Sequence, residues 1–190
     1  GYNLITQAAK SKDEQDLLPA RRTKGLFKMD RVSKDNYYLD IAETVAERST
    51  CLRRKYGAII VKNDVIVSTG YNGAPRGRAN CCDLGYCMRD KLNIPRGERY
   101  ELCRSVHSEA NAIIAAPREQ MLGATLYMAC VSPEDRQPVP GTNSCMMCKR
   151  LIINAGISNV IVRDTKKDYR VINVAHWIED DDSLSGRFGY

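Results

Sequence analysis

The sequence predicts an α/β fold, and three patterns support that prediction. Two short apolar runs, 57–61 and 65–70, flank a polar turn and are typical of a β-hairpin. Three further runs rich in apolar and β-branched residues follow at 124–131, 160–162 and 170–174. Helical patterns separate the hairpin, the third strand and the fourth strand. Such alternation favours parallel neighbours joined by helical crossovers.

The first two helices are predicted at 33–49 and 106–116. The first carries an apolar stripe at helical spacing, which is typical of a helix that faces a core. The second is expected to end at Pro117, because proline cannot continue a helix. Its first turn is expected to contain His107 and Glu109.

The third helix lies between the third and fourth strands. Asn143 or Ser144 is expected to cap its start. The helix is expected to reach about Ala155 and to stop at Gly156, a residue type common just after a helix. The chain beyond Ile178 is acidic and then glycine-rich, and is predicted to be peripheral.

Length and composition predict one domain, since 190 residues with 43% hydrophobic content are enough for a core. Residues 1–28 hold six Lys or Arg and three acidic residues with little apolar periodicity. They are predicted to be a flexible N-terminal extension or a cloning remnant before a native start at Met29. Residues 29–190 are predicted to form the domain, with a cysteine-rich insertion at 73–104 where periodicity is lost.

Composition also narrows the function classes. The sequence shows no signal peptide and no apolar run of the ~18 residues that span a bilayer, so a cytoplasmic protein is predicted. Eight cysteines in such a chain favour metal binding or catalysis over a secreted disulfide framework. The net charge of +6 would suit a nucleic-acid partner, but half of the excess lies in 1–28, which favours a solvated tail.

Two short motifs carry the predicted chemistry. His107-Ser108-Glu109 is an H-x-E motif, and Cys145-Met146-Met147-Cys148 is a C-x-x-C motif. One imidazole and two thiolates form a three-ligand set that suits zinc and leaves a fourth position for water. Glu109 is then placed to take and return a proton, a combination typical of zinc nucleobase deaminases. A redox cysteine pair or half of a structural zinc knuckle is the alternative, and neither uses Glu109.

These motifs, together with a third, resemble a known family. The matching segments are Gly70-Tyr71-Asn72-Gly73-Ala74-Pro75, His107-Ser108-Glu109-Ala110-Asn111-Ala112-Ile113 and Cys145-Met146-Met147-Cys148-Lys149. They are similar to the deoxycytidylate (dCMP) deaminases of the cytidine deaminase-like superfamily, over about 33–174. The resemblance implies a three-layer helix–sheet–helix sandwich around a five-stranded mixed sheet. It also implies zinc-dependent hydrolysis of dCMP to dUMP and ammonia, which supplies dUMP for thymidylate synthesis.

The resemblance assigns roles to residues around the motifs. It implies that His107, Cys145 and Cys148 hold the catalytic zinc. Glu109 would shuttle the proton, Asn72 would hydrogen-bond the sugar, and the backbone of Ala110 would contact the base.

The resemblance also implies regulation and assembly. Members of the family are often activated by dCTP and inhibited by dTTP, and they assemble as homo-oligomers, here expected to be hexamers or dimers. The candidate allosteric residues are Gly70, Tyr71, Asn72, Gly73, Pro75 and Arg76.

The remaining cysteines suggest a second, structural zinc. Four thiolates make a closed tetrahedral site, which would staple the insertion. The resemblance points to Cys51 and Cys81 as ligands, and Cys87 and Cys103 are chosen to complete the set. Cys82 is an alternative to Cys81, and four ordinary reduced thiols are the alternative to the site.

Three features depart from the family pattern. Ser108 replaces the usual alanine and is expected to be a mild change, and Ser144 replaces the usual proline and can cap the helix instead. The loop at 132–143 is longer than usual, which affects the expected substrate preference more than the chemistry. Six cations flank the motifs and are candidates to bind a substrate phosphate, with none ranked above the others: Arg53, Arg54, Lys55, Arg76, Arg78 and Arg104.

Three other functions stay open from the sequence. A deaminase for another cytosine nucleotide or nucleoside would need only a few changed pocket side chains. A tRNA adenosine deaminase would share the zinc site and suit the positive charge. A non-enzymatic zinc module that binds a partner would have no use for Glu109.

Overall fold

The computed structural model describes residues 30–185, so the predicted extension at 1–28 lies outside the described residues. The compact unit begins at Val32. Its strands are β1 (Lys55–Lys62), β2 (Val65–Tyr71), β3 (Thr125–Val131), β4 (Asn159–Arg163) and β5 (Tyr169–Asn173). Its α-helices are α1 (Lys34–Ala46), α2 (Cys81–Leu84), α3 (Met88–Lys91), α4 (Ser108–Ile114), α5 (Arg118–Met121), α6 (Met146–Ala155) and α7 (Val174–Glu179). Short 3₁₀ helices occur at Tyr100–Leu102 and Asp182–Ser185.

The five strands form one mixed sheet with the order β2-β1-β3-β4-β5. The pair β3–β4 is parallel, and α6 makes the crossover between these strands. The other three pairs are antiparallel, and the predicted hairpin is the pair β1–β2. The predicted five-stranded mixed sheet is therefore confirmed.

Alternating side chains of the central strands fill two cores, one on each face of the sheet. Ile60, Leu126 and Val160 pack with residues of α4, α6 and α7. On the opposite face, Ile59 and Tyr127 pack against α1. Strands that are buried on both faces require continuous apolar runs, which is the pattern of β1, β3 and β4. The helix–sheet–helix sandwich is thus confirmed.

A buried arginine ties α1 to the sheet. Arg163, at the end of β4, is fully buried. Its Nη1 donates to Asp40 Oδ1 and Glu43 Oε1 of α1, each at 2.6 Å. Since an unpaired buried charge is costly, these carboxylates fix the position of the helix on this face.

Some predicted boundaries were wrong. His107 is the N-cap of α4 and does not lie within its first turn, and Cys145 is the N-cap of α6 in place of Asn143 or Ser144. The Asn143 side chain accepts a bond from the Ser144 N–H instead, at 2.8 Å. The helix α7 was also missed. It follows β5 directly, and Val174, predicted to end that strand, begins the helix behind the N-cap Asn173. Among the described residues, none of the helices combines the length and the apolar character needed to cross a membrane.

Candidate zinc centre and active site

The starts of α4 and α6 bring three metal-binding side chains together. His107 Nδ1 lies 3.4 Å from Cys145 Sγ and 3.5 Å from Cys148 Sγ. All three ligand atoms lie within 4.8 Å of one another, and no other such set of three occurs in residues 30–185. We call these residues the ligand cluster. The distances confirm that the two motifs meet, as the sequence predicted.

The electrostatics of the ligand cluster suit a divalent cation. The hydrogen bond from the Cys148 thiol, helped by His107, lowers the pKa of Cys145 to about 4. The same bond and burial raise the pKa of Cys148. Although burial opposes it, hydrogen bonds to Cys103 and Cys145 and the charge of Glu109 raise the pKa of His107 to about 10. A cation would replace the protons of this set, and two sulfurs with one imidazole are donors that zinc prefers.

Glu109 lies in the first turn of α4, next to the ligand cluster, and is 4% exposed. The fully buried Ser108 hydroxyl donates to Glu109 Oε2 at 3.0 Å. Ser108 was expected to be a mild replacement for alanine. The structure instead gives its hydroxyl a direct contact with the carboxylate. Neighbouring helix positions do not normally face each other, so this hydrogen bond could not be predicted from the sequence.

Asn72 follows β2 and is held by a set of hydrogen bonds. Its Oδ1 accepts bonds from Ser49 Oγ at 2.5 Å and from the Tyr56 N–H at 2.8 Å. Its Nδ2 donates to the Arg54 carbonyl at 3.0 Å. An amide nitrogen carries two hydrogens, so Asn72 Nδ2 can donate one more hydrogen bond. The three bonds already described hold the side chain in its orientation.

Several of the predicted site residues line one cavity of about 390 Å³. Asn72, His107, Glu109 and Cys145 all line it. Ala110 is buried within α4 and is not one of the lining residues.

Four arginines also line this cavity: Arg53, Arg54, Arg89 and Arg96. The first two were among the predicted phosphate candidates. The other two were missed, because they lie in the insertion, where the sequence has no periodicity. Arg53 Nη1 lies 3.2 Å from Asp90 Oδ1 but is buried without a hydrogen bond. The remaining candidates, Lys55, Arg76, Arg78 and Arg104, do not line the cavity.

Residues 70–73 pack closely against the start of α4. A Cβ on Gly70 would overlap the backbone of Ser108 and Ala112, so only glycine allows this close approach of β2. Gly73 pairs with Val106 through two backbone hydrogen bonds of 3.2 and 2.8 Å. A packing role therefore accounts for Gly70, while the predicted allosteric role of residues 70–76 stays a prediction.

The second candidate zinc set, which we call the cysteine quartet, is Cys51, Cys81, Cys87 and Cys103. Burial, followed by the nearby thiols of the other three members, raises the pKa of Cys81. The alternative residue, Cys82, is exposed and faces Asp83 at 3.6 Å. All eight cysteines are free of disulfides. In the described part of the chain, the sulfurs of the quartet do not all lie within 4.8 Å of one another.

Comparison with known proteins agrees with this geometry. Residues 32–164 match the family model described as the cytidine and deoxycytidylate deaminase zinc-binding region, and the chain belongs to this family. This confirms the family that the motifs resembled.

Several relatives are named deoxycytidylate deaminase. The protein of Mycobacterium phage D29 is 39% identical over 138 residues, which cover 70% of this chain and 96% of the relative. The protein of Saccharomyces cerevisiae is 32% identical over 160 residues, which cover 84% of this chain. The match spans 44% of that yeast relative and 37% of the Schizosaccharomyces pombe one.

A similar solved structure is the dCMP deaminase of cyanophage S-TIM5 in complex with dCMP and dUMP. It is 25% identical with a TM-score of 0.47, and the match covers 70% of this chain and 85% of that one.

Proposed function

We propose that this chain is an enzyme that deaminates dCMP to dUMP and ammonia with a catalytic zinc. The observation that carries the proposal is the ligand cluster with Glu109 beside it, because His107, Cys145 and Glu109 line one cavity. The family membership and the relatives named deoxycytidylate deaminase support it. A structural module or a redox pair would not need a buried carboxylate at this place.

The residues of the ligand cluster would hold the zinc through one imidazole nitrogen and two sulfurs. When bound there, zinc supplies the Lewis acidity that makes a water molecule nucleophilic near neutral pH. Glu109 takes a proton from the attacking water and delivers it to N3 of the cytosine ring. It then takes the proton of the new hydroxyl group on C4 and gives it to the nitrogen on C4, which leaves as ammonia while the C4 oxygen becomes the carbonyl of uracil.

Binding of the rest of the nucleotide is assigned to the cavity walls. Asn72, which lines the cavity, donates its free N–H to the sugar. The backbone of Ala110 does not line the cavity, and its contact with the base is proposed from the family resemblance alone. Arg53, Arg54 and Arg96, which line the cavity, are proposed to bind the 5′-phosphate, because guanidinium groups pair well with phosphate oxygens. Several cations that line one cavity favour a nucleotide over an uncharged nucleoside.

The cysteine quartet is proposed to hold a second, structural zinc. Two observations support this choice of ligands: the other three thiols lie near Cys81, and Cys82 is exposed. Metal analysis of the purified protein tests it. Two zinc ions per chain are expected, and one zinc per chain would remove the proposal.

Regulation, assembly and location are carried over as proposals from the family resemblance. We propose activation by dCTP and inhibition by dTTP at residues 70–76 of a cytoplasmic homo-oligomer, a hexamer or dimer, that supplies dUMP for thymidylate synthesis. Gly70 packs closely against the backbone of Ser108, the residue before Glu109. This contact supports the proposal that a nucleotide bound at residues 70–76 changes the position of Glu109.

The test is ammonia release by the zinc-loaded protein with dCMP, CMP, dCTP, deoxycytidine or a tRNA anticodon stem-loop, each with and without dCTP or dTTP as effector. Turnover of dCMP above all others is expected. Preference for deoxycytidine or the stem-loop would overturn the substrate assignment but leave the zinc chemistry. No turnover of any compound would favour a binding module.

A further inference from the structure

The cysteine-rich insertion contributes an aromatic contact to the ligand cluster. The ring centroids of Tyr100 and His107 lie 5.0 Å apart, and their planes are inclined at 86°. This is the T-shaped geometry that aromatic pairs favour. Tyr100 begins the 3₁₀ helix near the end of the insertion and lines the same cavity as His107.

Arg89 fixes Tyr100 from within the insertion. Its guanidinium carbon lies 4.4 Å from the centroid of the Tyr100 ring. Its Nη2 donates to the carbonyl oxygens of Pro95 at 2.7 Å and Glu98 at 2.6 Å. Arg89 is 6% exposed, so these contacts form in a largely dry environment where they are strong. One side chain therefore holds both the segment that leads to Tyr100 and the ring itself.

The orientation of the imidazole decides whether the ligand cluster can bind a metal. His107 Nδ1 faces two sulfurs at 3.4 and 3.5 Å, and a small rotation of the ring would move it away from both. Metal-binding histidines usually depend on neighbouring groups to hold the ring, and loss of such a group weakens metal binding.

We propose that Arg89 and Tyr100 form a positioning unit for His107, through which the insertion holds the imidazole plane in the orientation that binds zinc. The inference rests on the proposed zinc site but not on the proposed substrate. It gives the insertion a role in the active site in addition to any structural zinc.

The experiment compares zinc affinity, by competition with a chromogenic chelator, and the absorption spectrum of the cobalt(II)-substituted protein. The variants are Tyr100→Leu, Tyr100→Phe and Arg89→Lys. Tyr86→Leu is the matched control, because the Tyr86 ring carries Lys91 Nζ at 3.9 Å in the same insertion but does not line the cavity.

Tyr100→Leu is expected to weaken zinc binding by about 2- to 10-fold, the contribution of one aromatic contact, and to change the cobalt spectrum. Tyr100→Phe keeps the aromatic ring and is expected to retain the zinc affinity of the wild type. Arg89→Lys loses the planar group that stacks on the ring and is expected to weaken zinc binding. Tyr86→Leu should change neither readout.

Wild-type zinc affinity and an unchanged cobalt spectrum in Tyr100→Leu would overturn the proposal. If that variant does not fold, the same two readouts in Arg89→Lys decide the question. Neither readout uses a substrate, so a wild-type protein that fails to deaminate dCMP would refute the proposed function without refuting this inference.

Discussion

The ligand cluster and the cysteine quartet use similar side chains but are held in different ways. The ligand cluster lies at the starts of α4 and α6, two helices that pack on one face of the sheet. The quartet is spread over the turn before β1, the starts of α2 and α3, and the end of a 3₁₀ helix. Helices packed on a sheet bring three donor atoms within 4.8 Å of one another, whereas the insertion and the segment before β1 bring the four thiols of the quartet only near one another. Regular elements therefore specify the first site more closely than the second.

The largest effect should come from Glu109, which belongs to the reaction and not to the ligands. Glu109→Gln removes the proton shuttle, so kcat should fall by about 10²- to 10⁴-fold while zinc content stays at the wild-type level. Steady-state kinetics with dCMP and metal analysis of the same preparation check this. Full turnover in a zinc-loaded variant would contradict the mechanism.

Zinc affinity of the ligand cluster should rise steeply with pH. At pH 7, His107 and Cys148 are protonated because their pKa values are raised, whereas the lowered pKa of Cys145 leaves it a thiolate. Binding then displaces two protons, so affinity should increase about 100-fold per pH unit between pH 6 and 8. Chelator competition at several pH values measures this slope. A flat profile would contradict the charge assignment.

Substitution of two neighbouring cysteines, Cys81 and Cys82, can distinguish zinc bound by the quartet from zinc bound by the ligand cluster. Cys81→Ser should lower the zinc content by about one ion per chain and reduce the melting temperature, because structural zinc contributes directly to folding. Cys82→Ser is the control and should change neither quantity, since Cys82 is exposed. Equal effects of Cys81→Ser and Cys82→Ser would contradict the choice of Cys81 over Cys82 as a zinc ligand.

Two glycines test whether packing on the two faces of the sheet matters differently for activity. A Cβ on Gly70 would overlap α4, and one on Gly57 would overlap α1 on the other face. Each change to alanine should lower the free energy of unfolding by about 1–3 kcal/mol. Only Gly70→Ala should also lower kcat, because it displaces the start of the helix that carries Glu109. Thermal unfolding and kinetics under native conditions distinguish the two.

The smallest effect is expected at Ser108. Ser108→Ala removes the hydroxyl that bonds Glu109 Oε2, so kcat should fall by a few-fold, about the contribution of one hydrogen bond, with KM and zinc content little changed. The kcat and KM values for dCMP measure it. A change confined to KM would assign Ser108 to substrate binding instead.

The sequence predicted the sheet and the ligand cluster because both depend on local patterns. Apolar runs marked the strands, and the H-x-E and C-x-x-C motifs fell near the starts of two helices that pack on the same sheet. Arg89, Arg96 and Tyr100 were not predicted, since no periodicity places them and their contacts are long-range. The caps at His107 and Cys145 were also missed, because neither side chain is a usual capping group.

If the ligand cluster and its zinc deaminate dCMP, activity must depend on the metal. This is tested by dUMP formation from dCMP after zinc is removed with a chelator and then restored. Turnover is expected to be lost with the metal and to return as zinc is added back. Undiminished turnover in protein shown by metal analysis to lack zinc would contradict it.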